Sequence, residues 1–286
     1  GKRLLKYRIL HPFVKVSDIQ MRHLYIDEVR PLSIEIDESL KYIADLETCY
    51  RRIVLKKMIP SEFVSRIYVS HIKIHDILKS LSKTKYPIDG FDIKAFDKMV
   101  NDYLEYFEIK KMNNDGEESF IIPGHNDKID KLQVENNEYD AIFEKYMKKM
   151  TSHIKSKDSK VLIKGESAIK LEYNENDKYH LCTTNIRAKC LKDFENINMK
   201  TIKSRTKISN TELDEASGKK AQLVFKLRPL VLDEFMKIIT KWYTKHEKLL
   251  DKINNFISEL DVANSMCKIA IKHKYTKPKI VENEFG

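Results

Sequence analysis

The chain has 286 residues, 42% hydrophobic and 34% charged, with 7 Gly and 7 Pro, enough length for a sizeable core or two domains and so few breakers that long helices should dominate. Its net charge of +10 suits a polyanionic partner, nucleic acid or an acidic membrane surface, although a lysine-rich composition inherited from an AT-rich coding sequence accounts for it equally well. No run of 18 apolar residues, no apolar leader at GKRLLKYRIL and no paired cysteines among Cys49, Cys182, Cys190 and Cys267 argue against a membrane span, a signal peptide and a disulfide framework, and predict a soluble intracellular protein with reduced thiols.

Residues 1 to 111 carry helical spacing with short punctuation. Leu4, Leu5, Ile9 and Leu10 form a first stripe that ends at His11-Pro12, and Ser17-Asp18 caps a second with Ile19, Leu24, Ile26 and Val29. From Asp37, the residues Leu40, Ile43, Leu46, Tyr50, Ile53 and Val54 recur at three and four, which predicts one amphipathic helix. Pro60-Ser61-Glu62 restarts a helix whose apolar face holds Phe63, Ile67, Ile74, Ile77, Leu78 and Leu81. After turn signals at Asn113–Gly116 and Pro123-Gly124, residues 128 to 154 return to a long helix thinly striped by Ile129, Leu132, Tyr139, Ile142, Phe143 and Tyr146. Such a helix projects or pairs with one other helix.

Residues 155 to 210 change period. VLIK at 161 to 164, IKLEYN at 169 to 174 and YHLCTT at 179 to 184 read as strands, NIRAKCLKDFEN at 185 to 196 as one helix, and KTIKSRTKI at 200 to 208 as a further strand. Helical character resumes at Thr211 and runs to about Lys274 with Pro229 as its one strong interruption. The fold class is therefore mainly α: a helical core with two long helices bracketing a small inserted α+β domain.

Few residues suggest chemistry. No G-x-x-x-x-G-K-[ST] occurs, and Gly218-Lys219-Lys220 lacks the first glycine and sits in a helical tract. His71 and His75 could share a metal from one helical face, but no Glu follows the first His and no third ligand is evident, so a partly exposed histidine pair in the bundle is the favoured reading. Glu47, Glu62 and Asp76 show no catalytic pairing, and Tyr103, Tyr106 and Phe107 read as packing residues. The local basic signal lies from Met199 to Asn210, where Lys200, Lys203, Arg205 and Lys207 occur with no acidic residue and are interleaved with or followed by Thr201, Ser204, Thr206, Ser209 and Asn210. Cations and small hydroxyls suit phosphates; a solvated edge strand guarded by lysines has the same composition.

The order of several short motifs resembles the MutS family of DNA mismatch-repair proteins. Gly1, Arg3 and Leu5 with the closing Pro12 are similar to the family's opening Gly-x-Arg-x-Leu helix, and Ile19 with Arg22 to its I-x-x-R. Asp45-Leu46-Glu47 resembles its D-L-E helix, Pro60-Ser61-Glu62-Phe63 its P-x-[DE]-L start, and Ile122-Pro123-Gly124 with Asn126 and Leu132 the approach to the descending lever helix. Glu259-Leu260-Asp261-Val262, followed by Ala270, Tyr275, Pro278 and Ile280, looks like the E-L-D-V helix and its Y-x-x-P-x-[IF] exit. Arg8 departs from the family, which has a tryptophan there, and residues 155 to 210 match in element order more than in residues. The Lys/Asn-rich composition points to a divergent branch of large-virus or organellar type.

The resemblance implies a helical core at 1–127, a descending lever at 128–154, an α+β clamp at 155–210, and at 211–286 a returning lever that ends before an ATPase domain. It implies double-stranded DNA as partner, a homo- or heterodimer for the full-length protein, and no membrane. ATP and Mg are expected for the parent and no cofactor for this chain, which is expected not to be an enzyme. With the clamp position included, the phosphate reading of the basic segment wins: Lys200, Lys203, Ser204, Arg205 and Lys207 are the first DNA-binding candidates. Asn185, Arg187 and Lys189, at the start of the small helix, are the second. Glu259 and Asp261 are expected at helix termini or in interdomain salt bridges. The competing readings are a helical scaffold whose inserted module binds a protein partner and, more distantly, a metal-dependent hydrolase built on His71 and His75.

Overall fold

Helix α1 (Lys2–Leu10) stops at His11-Pro12 and is followed by α2 (Val16–Val29), α3 (Ser33–Leu40) and α4 (Leu46–Val54). The computed structural model describes residues 1–88, 92–114, 116–158 and 167–280. The stripe from Asp37 to Val54, expected as one helix, is two. Asp45 caps α4, accepting from the Thr48 N–H at 3.4 Å and from the Thr48 hydroxyl at 2.9 Å, while the preceding Ala44 N–H is taken by the Ser70 hydroxyl at 2.9 Å. A side chain that satisfies the free amides of a new first turn stabilises a restart there, even where the apolar spacing runs on unbroken.

One helical turn, α5 (Pro60–Glu62), leads through a π-helical stretch (Phe63–Tyr68) into α6 (Val69–Leu81), and α7 (Ile93–Leu104) is capped by Asp92, which accepts from the Ala95 N–H at 2.6 Å. These elements and the later part of a long helix, α10 (Thr211–His273), make one unit, residues 1–115 with 233–286; residues 116–232 make the other. The core of the first unit is aromatic. Phe63 meets Tyr103, Phe107, Phe235 and Trp242 edge-on, at interplanar angles of 72° to 89°, the arrangement that ring quadrupoles favour. The Trp242 indole N–H donates to the Met99 carbonyl at 2.9 Å.

The E-L-D-V segment lies in this unit. Glu259 pairs with Arg8, and two residues past Val262 the buried Asn264 side-chain carbonyl accepts from the Ser33 hydroxyl at 2.7 Å. Helix α10 ends where Lys274 takes a φ of 53° and the Tyr275 N–H reaches back to the Ala270 carbonyl at 2.9 Å. This is a left-handed cap with lysine in the place glycine usually fills.

In the second unit, Asn126 caps α8 (Asp127–Lys157) through the Lys128 and Ile129 amides. Then come β1 (Lys170–Asn174), β2 (Lys178–Thr184), α9 (Asn185–Lys189), β3 (Asn198–Ile202) and β4 (Arg205–Ser209). The strands form an antiparallel sheet in the order β1-β2-β4-β3. Its inner face, with Leu181 and Ile208 fully buried, packs on Phe143, Met150 and Ile154 of α8 and on Leu213 and Ala216 at the start of α10. Both long helices therefore share a core with the sheet, and the units divide at 115 and 232.

Two expectations are revised here. The strand expected at 200 to 208 is a hairpin, β3 and β4 joined at Lys203-Ser204, with Lys203 at a φ of 52°. No Gly or Asn marks the turn, because a distant side chain holds it, as described below. The helix expected at 185 to 196 is only the five residues of α9, after which the Cys190 and Leu191 amides make tighter bonds to the Arg187 and Ala188 carbonyls and bury Leu191. The strand expected at 161 to 164 lies outside the described residues. Among the described residues no helix is long and apolar enough to cross a membrane. Pro229 does not end α10; it removes the amide that would donate to the Phe225 carbonyl.

Candidate nucleic-acid interface

Alternation along β4 buries Thr206 and Ile208 and turns Arg205, Lys207 and Ser209 to the sheet's outer face. Register extends that face across all four strands: Lys200 on β3 is opposite Lys207 on β4, Lys207 opposite Cys182 on β2, and Cys182 opposite Lys170 on β1. Three strand spacings make this row about 14 Å wide. Cys182 is nearly buried although it belongs to the outer face, because long lysine stems on both sides cover it. Burial and its hydrogen bond to Glu172 push the Cys182 thiol up to about 11, so it is a neutral filler and no nucleophile.

Arg205 and Lys207 are answered by acidic residues of the sheet. Arg205 pairs with Glu172 of β1, and the Lys207 ammonium lies 2.7 Å from Asp177 in the β1–β2 turn. The hydrogen bond from Lys207 holds the Asp177 carboxyl below its usual range, and the Cys182 hydrogen bond followed by Arg205 does the same for Glu172. Lys200, Lys203 and Lys189 are exposed and have no ion-pair partner among the described residues. Ser204 is exposed in the hairpin loop.

Asn185 works on the hairpin. Its side-chain amide donates to the Lys203 carbonyl at 2.8 Å and its carbonyl accepts from the Thr206 hydroxyl at 2.9 Å. Both ends of the side chain are thus engaged in holding Lys203 and Ser204 at the tip. Arg187 is only 4% exposed and its guanidinium donates to the Ser167 carbonyl at 3.3 Å. The structure therefore brings Lys200, Lys203, Ser204, Arg205 and Lys207 together on one hairpin, leaves Lys189 exposed on α9, and turns Arg187 inward. Reading the sequence by composition missed Lys170 and His180 on the same face, and the acidic partners Glu172 and Asp177. Strand parity combined with the β1-β2-β4-β3 order was the signal that could have found them.

The histidine pair is separated in role. His71 is buried, with Nδ1 3.1 Å from the Tyr103 hydroxyl and Nε2 3.5 Å from that of Tyr50, and burial lowers it to about 3. His75 faces Asp97 at 3.4 Å. No group of three potential metal ligands occurs among the described residues.

Comparison with known proteins identifies the lineage. The family model described as MutS domain III matches residues 1–267. A DNA mismatch-repair mutS homolog of Acanthamoeba polyphaga mimivirus is 28% identical over 322 residues, covering 98% of this chain and 28% of that protein. The DNA mismatch repair protein MutS of Petrotoga mobilis is 26% identical over 290 residues, covering 99% of this chain and 34% of that protein. MutS of a Streptococcus pyogenes strain is 24% identical, covering 99% of this chain and 32% of that protein. The chain thus spans about a third of the length of the relatives it matches. Matched by the domain III model over nearly its whole length, the chain belongs to the MutS family of DNA mismatch-repair proteins.

Proposed function

We propose that this chain is the lever and clamp region of a MutS-like mismatch-repair protein, and that the outer face of its four-stranded sheet holds duplex DNA by the backbone. The observation that carries the reading is the cross-strand row of Lys170, Lys207 and Lys200, bordered by Arg205 and the exposed tip at Lys203 and Ser204. Over a width of about 14 Å a duplex presents about eight phosphates, so long flexible cations on this face meet phosphate whatever the base sequence. The small hydroxyls of Ser204 and Ser209 add donors of the kind that bind phosphate oxygens.

On this reading α8 and α10 are the paired levers. In the full-length protein they connect the sheet to a domain outside this chain that handles ATP and Mg, and two subunits close on the DNA. The present chain itself then acts by binding and has no catalytic step.

The test is duplex binding by the chain at low salt, followed by anisotropy with several unrelated sequences. Lys200→Ala/Lys203→Ala should weaken binding to every sequence alike and lower the steepness of the salt dependence by nearly two cations' worth. Unchanged affinity in that variant would remove the hairpin from the interface. No duplex binding at all, together with retention of a protein partner, would favour the scaffold alternative.

A further inference from the structure

The second unit carries another surface that differs in chemistry from the lysine row. A groove of about 770 Å³ runs between the β1–β2 turn and the face of α10 from Ala221 to Leu232, with every lining residue inside that unit. Its walls are aromatic and unusually open: Phe225 is 83% exposed and Tyr173 is 54% exposed. The Tyr173 and Tyr179 rings lie 4.9 Å apart at 51°. Lys178, Lys226 and Arg228 line the same groove, against one carboxylate, Glu117.

We propose that this groove binds a single-stranded nucleic-acid segment, with bases stacking on Phe225 and Tyr173 and the backbone running along Lys178 and Lys226. Three considerations favour this occupant. Exposed rings interleaved with cations are the combination that takes unpaired bases, since each base has a π face and each nucleotide a phosphate. A paired duplex keeps its base faces stacked inside the helix and has nothing to offer Phe225. An apolar peptide would answer the rings but leave an excess of positive charge facing it.

The Tyr173 and Tyr179 platform is also preorganised. Tyr179 is packed against the sheet core, and the Lys220 ammonium lies 5.0 Å from its ring centroid. Tyr173 therefore presents a ring braced from behind, while Phe225 projects from a helix turn in which Pro229 has removed the donor to its carbonyl. The site uses none of the residues of the lysine row and stands independently of the duplex reading.

The experiment compares a labelled oligo-dT and a labelled duplex on the full chain and two variants, Phe225→Ala/Tyr173→Ala and Lys200→Ala/Lys203→Ala. Both aromatic side chains are largely exposed, and circular dichroism verifies that the fold survives their removal. The aromatic variant should bind oligo-dT at least about fivefold more weakly and leave duplex binding unchanged. A photoactivated 5-iodo-uracil oligonucleotide should crosslink to Tyr173 or Phe225. If oligo-dT binding is unchanged in the aromatic variant, the groove proposal is overturned, whatever the lysine variant does to the duplex. If the duplex fails to bind while oligo-dT binding depends on Phe225, the groove stands and the duplex reading falls. A dimer in sedimentation that the aromatic variant alone dissolves, with oligo-dT binding intact, assigns the groove to a second copy and overturns the proposal.

Discussion

The Lys220 ammonium on α10 lies 2.8 Å from the Asp140 carboxylate on α8 and 2.9 Å from the Asn136 side-chain carbonyl. Lys220 is almost fully buried and Asn136 entirely so, whereas the Asp140 side chain keeps some access to water. The two partners should therefore respond unequally to removal. Asp140→Ala strands an ammonium in the core between the two helices and should cost about 2–4 kcal/mol; Lys220→Met removes the charge, keeps the stem's volume and should cost about 1 kcal/mol. Hydrogen exchange of α8 amides and urea midpoints check the order. A Lys220→Met variant as unstable as Asp140→Ala would contradict the burial argument.

Gly116 and Gly124 both have positive φ, 90° and 96°, but their surroundings differ. A Cβ on Gly116 would come within 3.3 Å of the Arg228 side chain, while one on Gly124 would meet nothing within 4 Å. Gly124→Ala should lose about 1 kcal/mol from the backbone alone, and Gly116→Ala measurably more, because Arg228 must also move. Equal losses in urea unfolding would mean that the Arg228 stem yields freely.

Helix positions were legible because apolar spacing at three and four registers the burial of one face, and α8 and α10 begin within a residue or two of the expected points. Two of the misreadings share a cause: the deciding bond came from residues distant in sequence. Ser70 takes the Ala44 amide and helps to split the 37–54 stripe, and Asn185 holds the Lys203 turn from eighteen residues away. The lysines of the candidate site were visible as a run, but their counter-ions Glu172 and Asp177 sit on another strand and its turn. Only the register of the sheet reveals how much of that charge is already answered.

Asn185 gives a direct test of that hairpin. Asn185→Ala removes its bonds to Lys203 and Thr206, and the Thr206 hydroxyl, 2% exposed, loses its 2.9 Å acceptor. The expected cost is about 2 kcal/mol, concentrated in faster amide exchange of β3 and β4. Duplex binding should fall as well, though no cation has been touched, since the Lys203 tip is no longer held. Unaltered exchange in β3 and β4 would mean that the turn holds without this brace.

His71 predicts an acid sensitivity of the aromatic unit. Burial lowers it from 6.5 to about 3, so between those values the unfolded chain binds a proton that the folded chain refuses. Its contribution is intact above about pH 6.5 and declines on acidification, at up to about 1.4 kcal/mol per pH unit. Trp242, the sole tryptophan, has its ring 6.0 Å from His71 and reports this unit's unfolding. Between pH 7 and 5 the urea midpoint should fall in the parent chain and fall less steeply in His71→Gln, which keeps a hydrogen-bonding side chain without titrating. Parallel slopes in the two proteins would exclude His71 as the source.

The ion pairs under the lysine row make a prediction opposite in sign to the usual loss of binding. Asp177 and Glu172 are held ionised at neutral pH, the first chiefly by the hydrogen bond from Lys207 and the second by that from Cys182 and then by Arg205. Each offsets a cation that would otherwise face phosphate. Glu172→Gln/Asp177→Asn should tighten duplex binding several-fold at low salt and steepen its salt dependence, because two more cations then displace condensed counter-ions from the DNA. Stability should change little, as both pairs are near the surface and screened by water. Anisotropy titrations at two salt concentrations decide it. Weaker binding in this variant would mean that the acidic pairs position Arg205 and Lys207 for the DNA, and equal binding would place the phosphates away from this face of the sheet.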